Sequence, residues 1–209
     1  MKKFYYLLII FSVIFLTGCQ RPHLNNQNIN HPAMNSAKKV LLFIAFSGFQ
    51  DTEYNETAQA LQNNGWQVTT ISSNMGTAQG KFGAKVPVEN LISDVKMNDY
   101  QALVLIGGPG AQDYLQNQDL HRLAQQAIQQ NKVVAAICVA PAILAEAGVL
   151  AGKQATVWSS AIDHSFIDIL TKNRAQYVER GVVADGKIIT ANGPEVAKDF
   201  GQKLIELLK

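Results

Sequence analysis

Cys138 is the residue of this 209-residue chain whose setting points most directly to chemistry. An apolar run, Val133 to Ile137, leads directly into it, and Pro141 opens a helix-forming stretch three residues later. A strand that turns sharply into a helix is the geometry of a nucleophile elbow, which projects one side chain above a sheet. The positive end of the helix dipole would favour thiolate over thiol. The pattern predicts a cysteine nucleophile, with a small buried apolar side chain as the alternative.

A glycine-rich turn follows a second apolar run. Ala102 to Ile106 leads into Gly107–Gly110, which reads Gly-Gly-Pro-Gly. Glycines at a strand end allow a turn with positive φ and let a substrate approach the backbone. The N–H groups of Gly108 and Val139 are therefore candidate donors for an oxyanion, with a plain turn as the alternative. The run lacks the later glycine and acid of a dinucleotide-binding fingerprint.

Glu53 lies in the first turn of a helix predicted over 51–64, with Asp51 as the predicted N-cap. A carboxylate at this position is also ordinary helix capping, which is the alternative interpretation. In the functional interpretation the side chain points back over the sheet toward Cys138. A protonated glutamic acid there would hydrogen-bond the sulfur, keep the thiolate ionised and relay a proton.

Strands and helices alternate from Lys38 to the end of the chain. The apolar runs are continuous, as expected for strands buried on both faces. This alternation predicts an α/β sandwich with a mostly parallel sheet, in which sites form beyond the carboxyl ends of the strands. The sequence predicts strands over 40–46, 66–72, 102–106, 133–137 and 154–158, a ribbon over 81–88, a hairpin within 177–190, and helices over 51–64, 119–130, 141–147 and 195–208.

The N-terminal segment has the composition of an export signal. A basic start precedes an apolar stretch from Phe4 to Leu16, which is shorter than the roughly 20 residues of a membrane span. Residues 16–19, Leu-Thr-Gly-Cys, resemble the lipobox of bacterial lipoproteins. The resemblance implies that residues 1–18 are a signal peptide and that Cys19 carries a lipid. An uncleaved anchor is the alternative.

The mature protein would consist of a polar tether over 19–37 and one domain over 38–209. Loss of the two N-terminal lysines leaves 16 basic against 16 acidic residues, which gives no electrostatic footprint for nucleic acid. Gln20 provides no aspartate-type retention signal. We therefore expect a lipid anchor in the cell envelope, on the periplasmic face, and at the outer membrane if the cell is Gram-negative. Cys138 would remain as the single free thiol.

The motifs at the predicted strand ends, with several later segments, resemble the ThiJ/PfpI superfamily, which includes the parkinsonism-associated protein deglycase. The resemblance implies a flavodoxin-like three-layer sandwich, class I glutamine amidotransferase-like, and a homodimer. It places the nucleophile on Cys138, the partner carboxylic acid on Glu53 and backbone oxyanion donors at Gly108 and Val139. The similarity spans essentially the whole domain and runs through residues 48–53, 106–110, 136–141, 144–153, 183–186 and 190–194.

The sequence departs from the superfamily at two positions where relatives offer an imidazole. Val139 stands where many bacterial members have a histidine directly after the cysteine, and Trp158 replaces a histidine that other members carry after the next strand. His164 is a candidate acid–base group from a loop, with a surface position as the alternative. His121 lies on a polar helix and is predicted to be solvated. The sequence therefore predicts a cysteine–glutamate pair rather than a triad.

Three functions are compatible with these features. In the first, Cys138 adds to the aldehyde of a 2-oxoaldehyde such as methylglyoxal, Glu53 relays a proton, and water releases a hydroxy acid. The same sulfur would attack glycated thiols and amines, and this glyoxalase- or deglycase-like chemistry requires no metal and no organic cofactor. In the second, Cys138 is oxidised and the protein is a stress sensor or chaperone-like protein without turnover. In the third, the fold is a scaffold. The enzyme is the function we expect.

Overall fold

The computed structural model describes residues 38–209. The predictions for residues 1–37, namely the signal peptide, the lipidation of Cys19 and the tether, lie outside the described residues. The strands are β1 Lys39–Phe43, β2 Ser47–Phe49, β3 Gln67–Ser72, β4 Gly76–Gly80, β5 Lys85–Val88, β6 Asn90–Leu91, β7 Ala102–Leu105, β8 Val133–Ile137, β9 Gln154–Ala155, β10 Gln176–Tyr177, β11 Val182–Asp185 and β12 Ile188–Ala191. The α-helices are α1 Asp51–Asn63, α2 Gln118–Gln129, α3 Pro141–Glu146, α4 Ser165–Lys172 and α5 Ala197–Leu207.

The central sheet contains seven strands within residues 38–209, in the order β11-β12-β8-β7-β1-β3-β6. Neighbouring strands run parallel, except that β11 and β12 form the predicted antiparallel hairpin at one edge. Strands β7 and β8 are buried along their whole length. Parallel sheets require such burial because their crossover helices lie on both faces.

Helices cover the two faces of this sheet. Helices α1 and α5 pack together on one face, and α2, α3 and α4 pack in succession on the other. Helix α2 buries Leu120, Leu123, Ala124 and Ala127, a spacing that places them on one side of the helix. The predicted α/β sandwich with a mostly parallel sheet is confirmed.

A second sheet, β2-β4-β5, follows the carboxyl end of β1. The sequence predicts a ribbon over 81–88, but its first strand is β4, and residues 81–84 form the connecting turn. Asp51 accounts for this placement. Its carboxylate accepts hydrogen bonds from the N–H groups of Phe82 at 2.9 Å and Ala84 at 2.7 Å. The ribbon is therefore tied to the first turn of α1.

Several local predictions are wrong. The strand predicted over 154–158 is reduced to β9, which pairs with β10, and α4 was not predicted from the sequence. The predicted helix over 195–208 begins with a 3-10 turn, Pro194–Val196, before α5. His121 is buried rather than solvated, and its Nε2 lies 2.8 Å from the carbonyl oxygen of Leu115. Among residues 38–209, no helix has the length and apolar character needed to cross a bilayer.

Candidate active site

Cys138 occupies the turn between β8 and α3 in a strained backbone conformation. Its φ is 64°, in the left-handed region that residues with a side chain rarely adopt. Its N–H donates to the carbonyl of Ala191 at 2.8 Å, and its own carbonyl accepts from the N–H of Trp158 at 2.8 Å. Cys138 is 6% exposed. Two separate segments thus hold the elbow at the carboxyl end of the central sheet.

Glu53 projects from the first turn of α1 into the protein interior and is completely buried. Its Oε2 accepts a hydrogen bond from the N–H of Gly107 at 3.0 Å. Its Oε1 meets no hydrogen-bond donor within the described part of the chain. A hydrogen bond with the side chain of Cys138 lowers the pKa of the Glu53 carboxyl. The structure therefore brings together the two side chains that the sequence predicts as a pair.

The Gly107–Gly108 turn lies between these two side chains. A Cβ atom on Gly107 would stand 2.5 Å from Cβ of Cys138 and 3.0 Å from Oε2 of Glu53. Gly108 has a φ of 105°, and a Cβ there would lie 2.5 Å from the backbone nitrogen of Gln50. Only a residue without a side chain fits at either position, because backbone and reactive groups occupy the space.

Burial is the main cause that raises the pKa of Glu53 from 4.5 to about 8. The charge of Glu195 adds a smaller increase. Hydrogen bonds from the N–H of Gly107 and from Cys138 act in the opposite direction but do not offset burial. The carboxyl of Glu53 consequently exchanges its proton close to neutral pH.

Burial also raises the pKa of the Cys138 thiol, from 9.0 to about 12, and the charge of Glu53 adds to the increase. The N–H groups of Gly108 and Val139 hydrogen-bond the sulfur and lower its pKa, without offsetting these effects. The sequence predicts a thiolate near neutral pH, and that expectation is wrong. Burial, which disfavours the charged thiolate, is the main cause. The resting sulfur keeps its proton, and Glu53 is the adjacent base.

A cavity of about 290 Å³ opens at Cys138. We call Gln50, Gly108, Cys138 and Val139 its inner wall, and Lys81, Trp158, Asp163, Ser165 and Phe166 its outer wall. The rings of Trp158 and Phe166 pack edge to face, with centroids 6.1 Å apart. The volume suits a small molecule or one modified side chain rather than a folded partner.

The predicted site residues divide into two groups. Cys138, Glu53, Gly108 and Val139 come together, and hydrogen bonds from the N–H groups of Gly108 and Val139 lower the pKa of the Cys138 thiol. His164 is exposed and precedes α4, and it does not line the cavity, whereas Asp163 and Ser165 on either side do. Within residues 38–209, no group of three or more His, Cys, Asp or Glu side chains gathers where it could hold a metal ion.

Gln50 has a role that the sequence analysis missed. The sequence predicts Asp51 as the N-cap of α1, but Gln50 is the cap, and its side chain accepts from the N–H groups of Thr52 and Glu53. Glutamine is not among the residues preferred at this position, so helix-capping patterns favour the neighbouring aspartate. The carboxylate of Asp51 instead accepts hydrogen bonds from the turn of the β4–β5 ribbon.

The fold and the site together define a class: flavodoxin-like sandwiches with a cysteine at the strand–helix elbow and a buried carboxyl beside it. The family model described as the DJ-1/PfpI family matches residues 38–207, and this chain belongs to that family. The expected superfamily membership and the flavodoxin-like fold are confirmed. A solved structure, that of a ThiJ/PfpI domain protein from Brachyspira murdochii, superposes with a TM-score of 0.78 at 29% identity. It covers 82% of this chain and 96% of its own.

Relatives with assigned activities are similar over most of their length. The chain is 29% identical to the deglycase PfpI of Pyrococcus furiosus over 169 residues, which are 81% of this chain and 99% of the relative. It is 23% identical to a glutathione-independent glyoxalase of Caenorhabditis elegans, over 84% of this chain and 91% of the relative. An uncharacterized protein of Methanocaldococcus jannaschii is 40% identical over 187 residues, 89% of either chain.

Proposed function

We propose that the protein is a cysteine-dependent glyoxalase- or deglycase-like enzyme that acts on 2-oxoaldehydes or early glycation adducts. One observation carries the proposal: a small cavity opens at the thiol of Cys138, which adjoins the buried carboxyl of Glu53, whose pKa is about 8. A general base works best when its pKa lies near the working pH. The relatives named as deglycase and glyoxalase support the same chemistry.

The first step forms a bond between sulfur and carbon. The carboxylate of Glu53 takes the thiol proton as Sγ of Cys138 attacks the aldehyde carbon, and the π electrons of the carbonyl move onto its oxygen. That oxygen then accepts the proton from Glu53, which completes a hemithioacetal. The N–H groups of Gly108 and Val139 already lie at the sulfur. They are the donors nearest to the oxygen on the attacked carbon.

The second step moves a proton between neighbouring carbons. Glu53 removes the proton from the carbon bonded to sulfur while the neighbouring carbonyl oxygen takes up a proton, which gives an enediol. Glu53 then returns its proton to the adjacent carbon, the hydroxyl on the sulfur-bearing carbon loses its proton, and a hydroxyacyl thioester results. Water then hydrolyses the thioester and restores the thiol. Methylglyoxal plus one water molecule thus gives lactate, without an external oxidant or reductant. With an early glycation adduct, the bond from carbon to nitrogen or sulfur breaks as the hydroxyl proton moves to the released amine or thiol, and the aldehyde so formed enters the first step.

The test is formation of 2-hydroxy acid by the full-length protein without glutathione. We expect lactate from methylglyoxal and none above background from the Cys138→Ser variant. Serine keeps the size of the side chain but is a far weaker nucleophile, because its hydroxyl is not acidified. Equal rates for the wild type and this variant would refute the proposal.

The alternative from the sequence is a thiol sensor or chaperone-like protein without turnover. Oxidation-sensitive cysteines combine thiolate character with exposure. Cys138 has a raised pKa and is 6% exposed, which argues against this role. Hydrogen peroxide should leave Cys138 mostly unmodified, as read by the intact mass, under conditions that fully oxidise a small exposed thiol.

We also propose that the protein is anchored in the cell envelope through a lipid on Cys19, on the periplasmic face. The lipobox-like residues 16–19 support this proposal. The mass of the protein extracted from membranes should correspond to a chain that begins at an acylated Cys19. An unmodified N-terminal Met1 would contradict it.

The resemblance to the superfamily further supports a homodimer. Light scattering after size-exclusion chromatography should give about twice the mass of one chain. The mass of a single chain at all concentrations would refute the dimer.

A further inference from the structure

The side-chain amide of Gln50 faces the cavity with donors that nothing in the described chain satisfies. We infer that Nε2 of Gln50 donates to the carbonyl oxygen adjacent to the aldehyde of a 2-oxoaldehyde. In this role Gln50 selects dicarbonyl substrates over simple aldehydes. The inference deepens the proposed function, because it names which feature of the substrate the site recognises.

The orientation of the amide follows from its hydrogen bonds. One side-chain atom of Gln50 accepts from the N–H of Thr52 at 2.6 Å and from the N–H of Glu53 at 3.3 Å. Only the carbonyl oxygen of an amide accepts hydrogen bonds, so Oε1 must face the helix. The NH₂ group is thereby directed away from the first turn of α1.

The NH₂ group has no protein partner within residues 38–209. Gln50 is 8% exposed, yet it lines the cavity together with Cys138. Both side-chain hydrogen bonds that the structure gives Gln50 within residues 38–209 are formed by Oε1. Because the NH₂ group keeps some exposure to the cavity, a ligand bound there can accept its hydrogen bond. The inner wall thus holds a fixed donor that lacks its acceptor.

The backbone brings this donor close to the reacting sulfur. The N–H of Gln50 donates to the carbonyl of Gly107 at 3.0 Å, and the Cα of Gly107 adjoins Cβ of Cys138. When the aldehyde carbon is bonded to Sγ, the neighbouring carbonyl lies one bond further along the inner wall. Its oxygen gains negative charge as Glu53 removes the proton from the first carbon. A donor fixed at that oxygen stabilises the charge where it develops.

Helix capping alone does not account for glutamine at this position. Serine, threonine, aspartate and asparagine are the preferred N-caps, and all are shorter. Of these only asparagine carries an NH₂ group, and glutamine places that group one methylene further from the backbone. This difference also supplies the test, because a serine cap keeps the helix start and removes the donor.

The experiment measures protection of Cys138 from alkylation by iodoacetamide in the full-length protein, read by intact mass. Methylglyoxal and propanal are compared as reversible protecting aldehydes with Glu53 in place, at concentrations far above that of the protein so that turnover does not deplete them. Propanal has the aldehyde but no neighbouring carbonyl. The ratio of the two half-protecting concentrations therefore cancels any change in the reactivity of the thiol.

We expect Gln50→Ser and Gln50→Glu to lower the preference for methylglyoxal over propanal by about tenfold, the usual effect of losing one buried hydrogen bond. Both variants keep an acceptor at the N-cap, so their unfolding temperatures should stay close to that of the parent. One variant adds a charge and the other does not. A loss confined to Gln50→Glu would assign the effect to charge and overturn the inference, as would an unchanged ratio in both variants.

These two measurements distinguish a failure of the binding role of Gln50 from a failure of the proposed function. If the wild-type protein forms no lactate but the protection ratio still depends on Gln50, the binding role stands and the proposed function falls. If lactate forms but neither variant changes the ratio, the proposed function stands and the role of Gln50 falls.

Discussion

The inner and outer walls of the cavity are constructed in different ways. On the inner wall, Cys138 is 6% exposed and is held by backbone hydrogen bonds from two segments, and fully buried Glu53 lies behind it. The outer wall consists of residues from loops and from the first turn of α4, and two of its loop residues adjoin highly exposed apolar side chains. Phe82 beside Lys81 is 70% exposed, and Ile162 beside Asp163 is 96% exposed.

This contrast separates chemistry from recognition. The inner wall lies at the carboxyl ends of parallel strands, where the sheet fixes the positions of reactive groups. The outer wall can change sequence without disturbing the central sheet, because its residues lie on loops and at the start of α4. We therefore expect substitutions on the inner wall to affect turnover or stability, and substitutions on the outer wall to have little effect on the chemical step.

The largest effect should come from Glu53→Gln. An amide cannot take the thiol proton, and the pKa of Cys138 is too high for the thiol to ionise unaided. Loss of a general base typically lowers the rate by about 10² to 10⁴. We expect a fall of this size in kcat/KM for methylglyoxal. Glu195→Gln is the matched control, because Glu195 is exposed and affects Glu53 only through its charge. An equal fall in both variants would contradict the assignment.

The same substitution should change how stability depends on pH. Burial raises the folded-state pKa of Glu53 from 4.5 to about 8, so the folded protein keeps a proton that the unfolded chain releases. The contribution of Glu53 to the free energy of unfolding is therefore fully present below pH 4.5 and is lost as the pH rises through about 8. The loss is on the order of 4 kcal/mol, at about 1.4 kcal/mol per pH unit. In urea denaturation, Glu53→Gln should lack this decline. Parallel pH curves for the two proteins would show that the carboxyl is not desolvated.

A methyl group on Gly107 should disrupt the contact between Cys138 and Glu53. The added carbon would lie 2.5 Å from Cβ of Cys138 and 2.7 Å from the carbonyl oxygen of Ile137. We expect Gly107→Ala to destabilise the protein by about 1–3 kcal/mol and to abolish turnover. Gly65→Ala is the comparison, because nothing lies within 4 Å of the added carbon there. It should retain turnover despite the cost of its positive φ. A fully active Gly107→Ala would mean that the inner wall is less closely packed than the geometry indicates.

The smallest effect should come from His164→Ala. His164 is exposed and does not line the cavity, so we expect less than about a twofold change in kcat/KM, far below the loss of an acid–base group. A fall of about tenfold or more would place an imidazole in the mechanism and would shift part of the chemistry to the outer wall.

The sequence predicts much of the inner wall because its signals are local. Continuous apolar runs mark β7 and β8, and the glycine turn and Cys138 follow them directly. The charge state of Cys138 was not predictable in this way. It depends on burial by segments distant in sequence, such as those of Ala191 and Trp158, which close over the elbow.

The errors concentrate where distant residues compete for the same side chain. Local rules select Asp51 as a cap, but the N–H groups of Phe82 and Ala84 bind its carboxylate, and Gln50 takes its place. The outer wall showed little periodicity over 156–164, so the sequence did not reveal that Asp163 and Ser165 line the cavity. Helix α4, which follows, lacks a side-chain N-cap that would mark its start.

The pH dependence of kcat/KM for methylglyoxal tests the central claim most directly. The account requires the carboxylate form of Glu53, whose pKa is about 8, to accept the proton of a thiol that is protonated at rest. Activity should therefore rise with pH through an apparent pKa near 8 and then level off, and Glu53→Gln should remove this rise. A wild-type rate that is constant or falls across the same range would contradict the assignment of Glu53 as the base that activates Cys138.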